Sequence, residues 1–360
     1  MSLHRLTWFC LACALGAVLL LPGVFHAAPQ TSGYRVIRNV LLAGEGGWDY
    51  VTADPDAKRV YIPRGDHVMV VDEVSGKVAG DIPDLKGLHG VAVAPQFNHG
   101  FITGNQSQTE GTIYVFDLKT LKVTDSLKAT GVDTDGLLYD PASKRVFVNN
   151  GDGNNVTVVD AATAKIVGTV ELKGGPEAAA ADGKSSIFVN IADKAEMVEY
   201  DTKTLTIKNR WPTAPCQRPV GLAMDTAHRR LFMACQGNNA IAAVMNADTG
   251  KVVASMPIGI GSDGAAYDPG TGDVFFTCRD IGDGKTGVTK IFHETSPDQY
   301  TSVADVKTIY GARTIALDPK THHIFSVGTA QNDPVPPTAQ NANPRPRPVP
   351  STFTLVEIGR

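Results

Sequence analysis

Thr134-Asp135-Gly136-Leu137-Leu138-Tyr139-Asp140-Pro141, followed after a short turn by Arg145-Val146-Phe147-Val148, is the stretch on which the fold turns, because the chain repeats it. It returns as Trp48-Asp49-Tyr50-Val51-Thr52-Ala53-Asp54-Pro55 with Arg59-Val60-Tyr61-Ile62, and as Leu88-His89-Gly90-Val91-Ala92-Val93-Ala94-Pro95. A fourth copy is Ser262-Asp263-Gly264-Ala265-Ala266-Tyr267-Asp268-Pro269 with Val274-Phe275-Phe276, and weaker ones begin at Glu177, Gly221 and Arg313. Seven copies result, with Asp54, Ala94, Asp140, Ala181, Asp225, Asp268 and Asp318 in register at intervals of 40–50 residues. That period belongs to propellers and other repeat architectures.

Working outward, the copies carry a second hairpin, such as His67 to Asp72 with Val78-Ala79, or Val156 to Asp160 with Lys165-Ile166-Val167. Four short strands rich in Val, Ile and Phe, broken by Asp, Pro, Gly and Lys turns and lacking a helical period, form one propeller blade. The expected fold is therefore an all-β, seven-bladed propeller of four-stranded antiparallel blades. The last copy supplies only three strands, ending at Thr352 to Ile358, while Tyr34 to Leu42 has no blade of its own. Residues 34–42 are expected to be the outer strand of the seventh blade, joining the chain ends and removing open edges. Residues 329–350 carry Pro334, Pro336, Pro337, Pro344, Pro346, Pro348 and Pro350 around Arg345 and Arg347. Such a segment reads as an extended surface loop inserted in the last blade, either merely solvated or a docking site for a partner.

The chain has 360 residues, 42% hydrophobic and 19% charged, with a net charge of −4. This composition excludes a disordered chain or coiled coil, and it encodes no drive toward nucleic acid or anionic membranes. Arg5 followed by the apolar run Leu6 to Phe25 and then Ala27-Ala28 reads as a secretory leader over residues 1–28. The run is also long enough to span a bilayer, so an uncleaved anchor is the alternative. The expected product is a monomeric periplasmic or secreted domain, residues 29–360, with no membrane contact once the leader is removed. Export leaves Cys216, Cys235 and Cys278 in an oxidising compartment.

These repeats resemble those of exported bacterial seven-bladed propellers with YVTN-type, YncE-like repeats. The resemblance spans approximately residues 34–360 and is most specific at Cys216-Gln217-Arg218-Pro219-Val220-Gly221-Leu222-Ala223-Met224-Asp225, His228 to Cys235, Asp263 to Pro269 and Gly311 to Pro319. It implies export and a propeller but little chemistry. The missing Asp-Pro turn in the fourth and fifth blades and the 329–350 loop are departures. The repeat register places Cys216 in the loop entering the inner strand of blade 5 and Cys235 where the second strand ends, on one face and within bridging reach. A Cys216–Cys235 disulfide is expected, with Cys278 a free thiol.

In a propeller, the residues before the inner strands line the channel mouth. The register puts Asp49, His89, Asp135, Asp263 and Arg313 there, with Glu177 and Arg218 close by, and Arg64, Asn105, Asn149, Asn150, Asn190, Gln236 and Arg279 behind them. Asp49, Asp135 and Asp263 with His89 suit a divalent cation, the one cofactor the set implies. His89 with Asp49 or Asp135 suits general acid/base work in a lyase, lactonase or cofactor-assisted oxidoreductase. Arg313, Arg218, Arg64 and Arg279 suit an anionic ligand. A purely structural role also stands, since a wet channel mouth needs polar side chains to satisfy backbone ends and water. No Gly-x-Ser-x-Gly or His-Glu-x-x-His motif supports an enzyme, and the one Cys-x-x-Cys, Cys10-Leu11-Ala12-Cys13, lies within the expected leader. His228, His322 and His323 fall in turns on the opposite face and read as surface residues. Trp48 reads as either a ligand-stacking or a blade-packing ring. Two expectations follow: a binding propeller offering its mouth to a small ligand, ion or protein partner, or an enzyme using the same Asp/His set.

Overall fold

The structure, a computed structural model, describes residues 33–42, 44, 46–237, 240–332, 336, 338 and 347–360. The expected leader at 1–28 lies outside them, as does most of the proline-rich insert. Among the described residues, the chain forms seven four-stranded antiparallel sheets, and no helix is long and apolar enough to cross a membrane.

The cassette acts through its turn. In blade 3, the strands Thr134–Asp140 and Arg145–Asn150 are joined where the Asp140 carboxylate accepts the amides of Ala142 (3.3 Å) and Ser143 (3.0 Å). A short acceptor side chain closing on the following amides is why Asp recurs there. The same closure occurs at Asp54, Asp225, Asp268 and Asp318. In blade 4, Asp182 performs it rather than the residue aligned by register, Ala181. Blade 2 replaces it with a 3-10 turn over Pro95–Phe97 ending at Asn98 in a left-handed conformation. The second hairpin uses the device again, with Asp160 accepting from Ala162 (3.1 Å) and Thr163 (2.8 Å).

Each inner strand touches that of the next blade, and the first touches the last, so the ring closes. The apolar core lies between blades as seven clusters, one per interface. Tyr61, Val70, Ile102 and Phe116 fill the seam of blades 1 and 2, and Phe232, Val244, Val274 and Phe276 that of blades 5 and 6. Blade 7 comprises Ala316–Asp318, His323–Gly328, Thr354–Gly359 and, as its outer strand, Arg35–Leu41, as the sequence implied. Tyr34 secures the join by donating to Asp273 Oδ2 (2.7 Å), and Arg38 does so by pairing with Glu357 (2.5 Å). The insert leaves between Gly328 and Thr354, its base held by a bridge between Gln331 and Pro348.

Cys216 and Cys235 form the expected disulfide, with Cα atoms 5.4 Å apart. Cys278 is free and buried, and burial pushes its thiol up to about 12, leaving it unreactive at neutral pH.

Candidate functional site at the channel mouth

The mouth residues sit just before or at the start of the inner strands, and in several blades a side chain from the second strand of the preceding blade fixes their backbone. Thr103 donates to Asp135 O (2.6 Å), Thr277 to Arg313 O (2.7 Å), Asn190 to Gly221 O (3.1 Å), and Asn149 to Glu177 O. Thr314 closes the circle on Asp49 O (3.0 Å). Asn149 and Asn190 thus hold backbone rather than forming an outer ligand shell. Thr103 and Thr277, which do the same, were not singled out from the sequence because a threonine inside a strand carries no distinguishing pattern.

With the backbone fixed, three side chains converge. His89 Nδ1 lies 3.0 Å from Asp49 Oδ2 and 3.3 Å from Asp135 Oδ1, so two carboxylates face one imidazole nitrogen. These three groups are close enough to hold a metal ion together. Burial, reinforced by Asp49, raises the Asp135 carboxyl well above its usual range. Burial opposes charge on His89, but the hydrogen bond to Asp49 and the field of Asp135 outweigh it and raise its pKa. One carboxylate therefore retains its proton near neutrality unless a cation replaces it.

The fourth expected ligand, Asp263, belongs to a different group. It pairs with Arg313 and accepts from Gln236, and Arg279 stands 4.0 Å away. Arg313 also reaches Asp49 (3.7 Å), linking the two halves of the ring. Arg218 faces Glu177 at 3.6 Å, and burial pushes the Glu177 carboxyl up to about 7 despite that arginine. Arg64 is buried, with its guanidinium 3.5 Å over the Phe353 ring and bonded to Gly44 O (3.3 Å). The four arginines are thus spread over three sets of partners, Arg279 and Arg313 sharing Asp263. Asn105 bonds the Thr134 amide (2.9 Å), and Asn150 bonds Asn155 and Thr157. Trp48 is a packing residue, tilted against Phe353 and donating to Gly311 O (3.3 Å).

Beneath the ring lies a channel cavity of about 160 Å³ lined by Tyr50, Gly136, Ala178, Leu222, Asp263 and Ile315 among others. Tyr50 was overlooked in the sequence, where it stood as an ordinary strand aromatic. Burial and then Asp135 and Glu177 raise its phenol far above the usual value, so it stays protonated below the carboxylates. The mouth is divided: Asp49, His89, Asp135 and Glu177 put three carboxyl groups and an imidazole over blades 1–4, while Arg218, Arg279 and Arg313 stand over blades 5–7 with Asp263 between the last two.

No family model matches the chain. It is distantly similar to YncE. The uncharacterized YncE proteins of Salmonella typhi and Salmonella typhimurium are 27% and 26% identical to it over 208 residues, 56% of this chain and 47% of theirs. The chain spans about half the length of the curated relatives it matches. Among solved structures, the RRP9 WD40 repeats superpose with a TM-score of 0.68 at 9% identity, covering 92% of this chain and 99% of that one. Kuenenia stuttgartiensis hydrazine synthase gives 0.64 at 16% identity, over 78% and 92%. Both likenesses show the fold alone.

Proposed function

We propose that the chain is an exported binding propeller whose channel mouth takes a small cationic ligand, with Asp49, His89 and Asp135 as the anchor and a divalent cation as the simplest occupant. The observation that carries this reading is the pair of carboxylates facing His89 Nδ1 at 3.0 and 3.3 Å, an excess of acceptor charge that a proton satisfies only in part. Hard oxygens with one imidazole suit manganese or magnesium, with water completing the coordination. The apolar leader and the Cys216–Cys235 bridge support an exported, oxidised setting.

The test is native mass spectrometry with elemental analysis of protein purified from the exporting compartment without chelators. A stoichiometric cation, lost in an Asp49→Asn/His89→Ala/Asp135→Asn variant that still folds, supports the reading. An apo mass together with no heat of binding for manganese or magnesium refutes it. Binding should strengthen as pH rises from 6 to 8, because a raised carboxyl pKa delays the loss of the proton that the cation must displace.

A second reading rests on the same imidazole. A carboxylate-oriented histidine beside a second, proton-retaining carboxyl is a general acid/base arrangement, which suits the lyase or lactonase class. His89→Ala would then abolish turnover of a lactone or elimination substrate with Tm unchanged. Under the binding reading, no such turnover exists to lose.

A further inference from the structure

We propose that Asp225, His228 and Glu294 form a second site, for a first-row divalent cation of the zinc class, on the disc face opposite the channel mouth at the seam of blades 5 and 6. Asp225 ends the inner strand Arg218–Asp225, His228 lies in the turn that follows, and Glu294 belongs to Thr286–Ser296 of the next blade. His228 Nδ1 stands 2.7 Å from Asp225 Oδ2 and 3.3 Å from Glu294 Oε1. Ligands about 2.1 Å from a tetrahedral ion stand about 3.4 Å from one another, so the three atoms are nearly in place.

Independent of this proximity, the Glu294 side chain is only 3% exposed and neither oxygen has a hydrogen bond of full geometry, the Tyr267 hydroxyl being the one donor beside it apart from His228. Among the described residues, no other carboxylate has both oxygens buried and unbonded. Of the other buried acids of that face, Asp273 is satisfied by Tyr34, His293 and Arg360, Glu357 by Arg38 and His323, and Glu73 leaves one oxygen, Oε2, unbonded. A buried carboxylate matched only by a tyrosine hydroxyl and a shared imidazole is costly, and a metal ion is one way to remove that cost. In blade 6, the equivalent turn aspartate, Asp268, meets His322 at 2.8 Å, and among the described residues no third ligand gathers there.

The neighbours fit a cation. Asp225 Oδ1 accepts the Ala227 amide (2.9 Å), and Oδ2, which faces the site, also accepts the His228 amide (3.2 Å). Arg230 is bonded to Asp298 (2.8 Å) and to the carbonyls of Pro297 and His228, so its charge is already matched. Tyr267, stacked on Phe232, and Tyr300, which donates to Pro297 O, wall the site. His228 is half-exposed, which supplies an entry path and an open fourth position for water. One imidazole and two carboxylates offer too few oxygens for calcium. The ion would clip blade 5 to blade 6.

The test is calorimetric titration of zinc chloride, then manganese chloride, into chelator-stripped full chain, with thermal melts in parallel. The variants are His228→Ala, Glu294→Gln, which preserves shape, and Asp49→Asn/His89→Ala at the mouth. The mouth variant should bind one zinc per chain with the affinity of the matching site in wild type, whose mouth can take a second ion, and zinc should raise Tm in both. His228→Ala and Glu294→Gln should weaken binding by more than the roughly 10- to 100-fold that loss of a merely supporting residue costs, and lose the Tm gain. Equal zinc affinity in Glu294→Gln and wild type, loss of binding in the mouth variant instead, or no binding at micromolar zinc would each overturn the proposal.

Discussion

Gly264 shows at the level of one residue why the mouth position is so often followed by glycine. A Cβ there would lie 2.4 Å from Thr277 Oγ1 and 3.0 Å from Arg313 O, the pair whose hydrogen bond fixes the Arg313 backbone. Gly90 is equally tight, with its Cβ position 2.5 Å from the Leu137 side chain of the next blade. Gly264→Ala should cost about 1–3 kcal/mol by overpacking, read as a lower denaturation midpoint. Glu177 provides the electrostatic counterpart. Burial raises its carboxyl from 4.5 to about 7, so the folded chain binds a proton that the unfolded chain releases. Its stabilising contribution is complete below about pH 4.5 and is lost as pH rises through about 7. Glu177→Gln should therefore flatten the decline of Tm between pH 5 and 8, and an unchanged profile would contradict the assignment.

For elements, the repeated hairpins carry the information and the capping aspartates explain their punctuation. Asp140 and Asp160 close the two turns of blade 3 with their own carboxylates. Blade 5 adds a covalent restraint, because Cys216 ties the loop entering the inner strand to Cys235 on the neighbouring strand, 19 residues away. Cys216→Ala/Cys235→Ala should cost about 3 kcal/mol, and dithiothreitol should shift the wild-type midpoint to the same value. The pairing was legible because register alone put both cysteines on one face. Asp182 was not, because a turn shifted by one residue leaves the strand pattern unchanged while moving the capping side chain.

For the whole molecule, closure depends on Arg35–Leu41 filling the outer place of blade 7. Arg38 reaches Glu357 in that blade and Val74 O (2.8 Å) in blade 1, so one guanidinium spans the seam between the chain ends. A chain beginning at residue 43 should leave Thr354–Gly359 as an exposed edge and elute as oligomer or aggregate in size-exclusion chromatography. A monomer with native circular dichroism would show that the outer strand is dispensable.

By itself, the sequence determined the seven-fold repeat, the four-stranded blade, the closing strand, the disulfide and the set of positions at the channel mouth. Each follows from periodicity, which is a property of the chain. Tertiary structure decided which of those side chains meet. Asp49, His89 and Asp135 come from three successive blades and converge because the ring curves, while Asp263 is drawn off by Arg313 and Arg64 by Phe353. It also decided that Glu294 lies buried against Asp225 and His228, a neighbour relation between blades 69 residues apart in the chain. Register fixes height along the propeller axis, but the direction of a side chain around that axis depends on what the next blade places beside it.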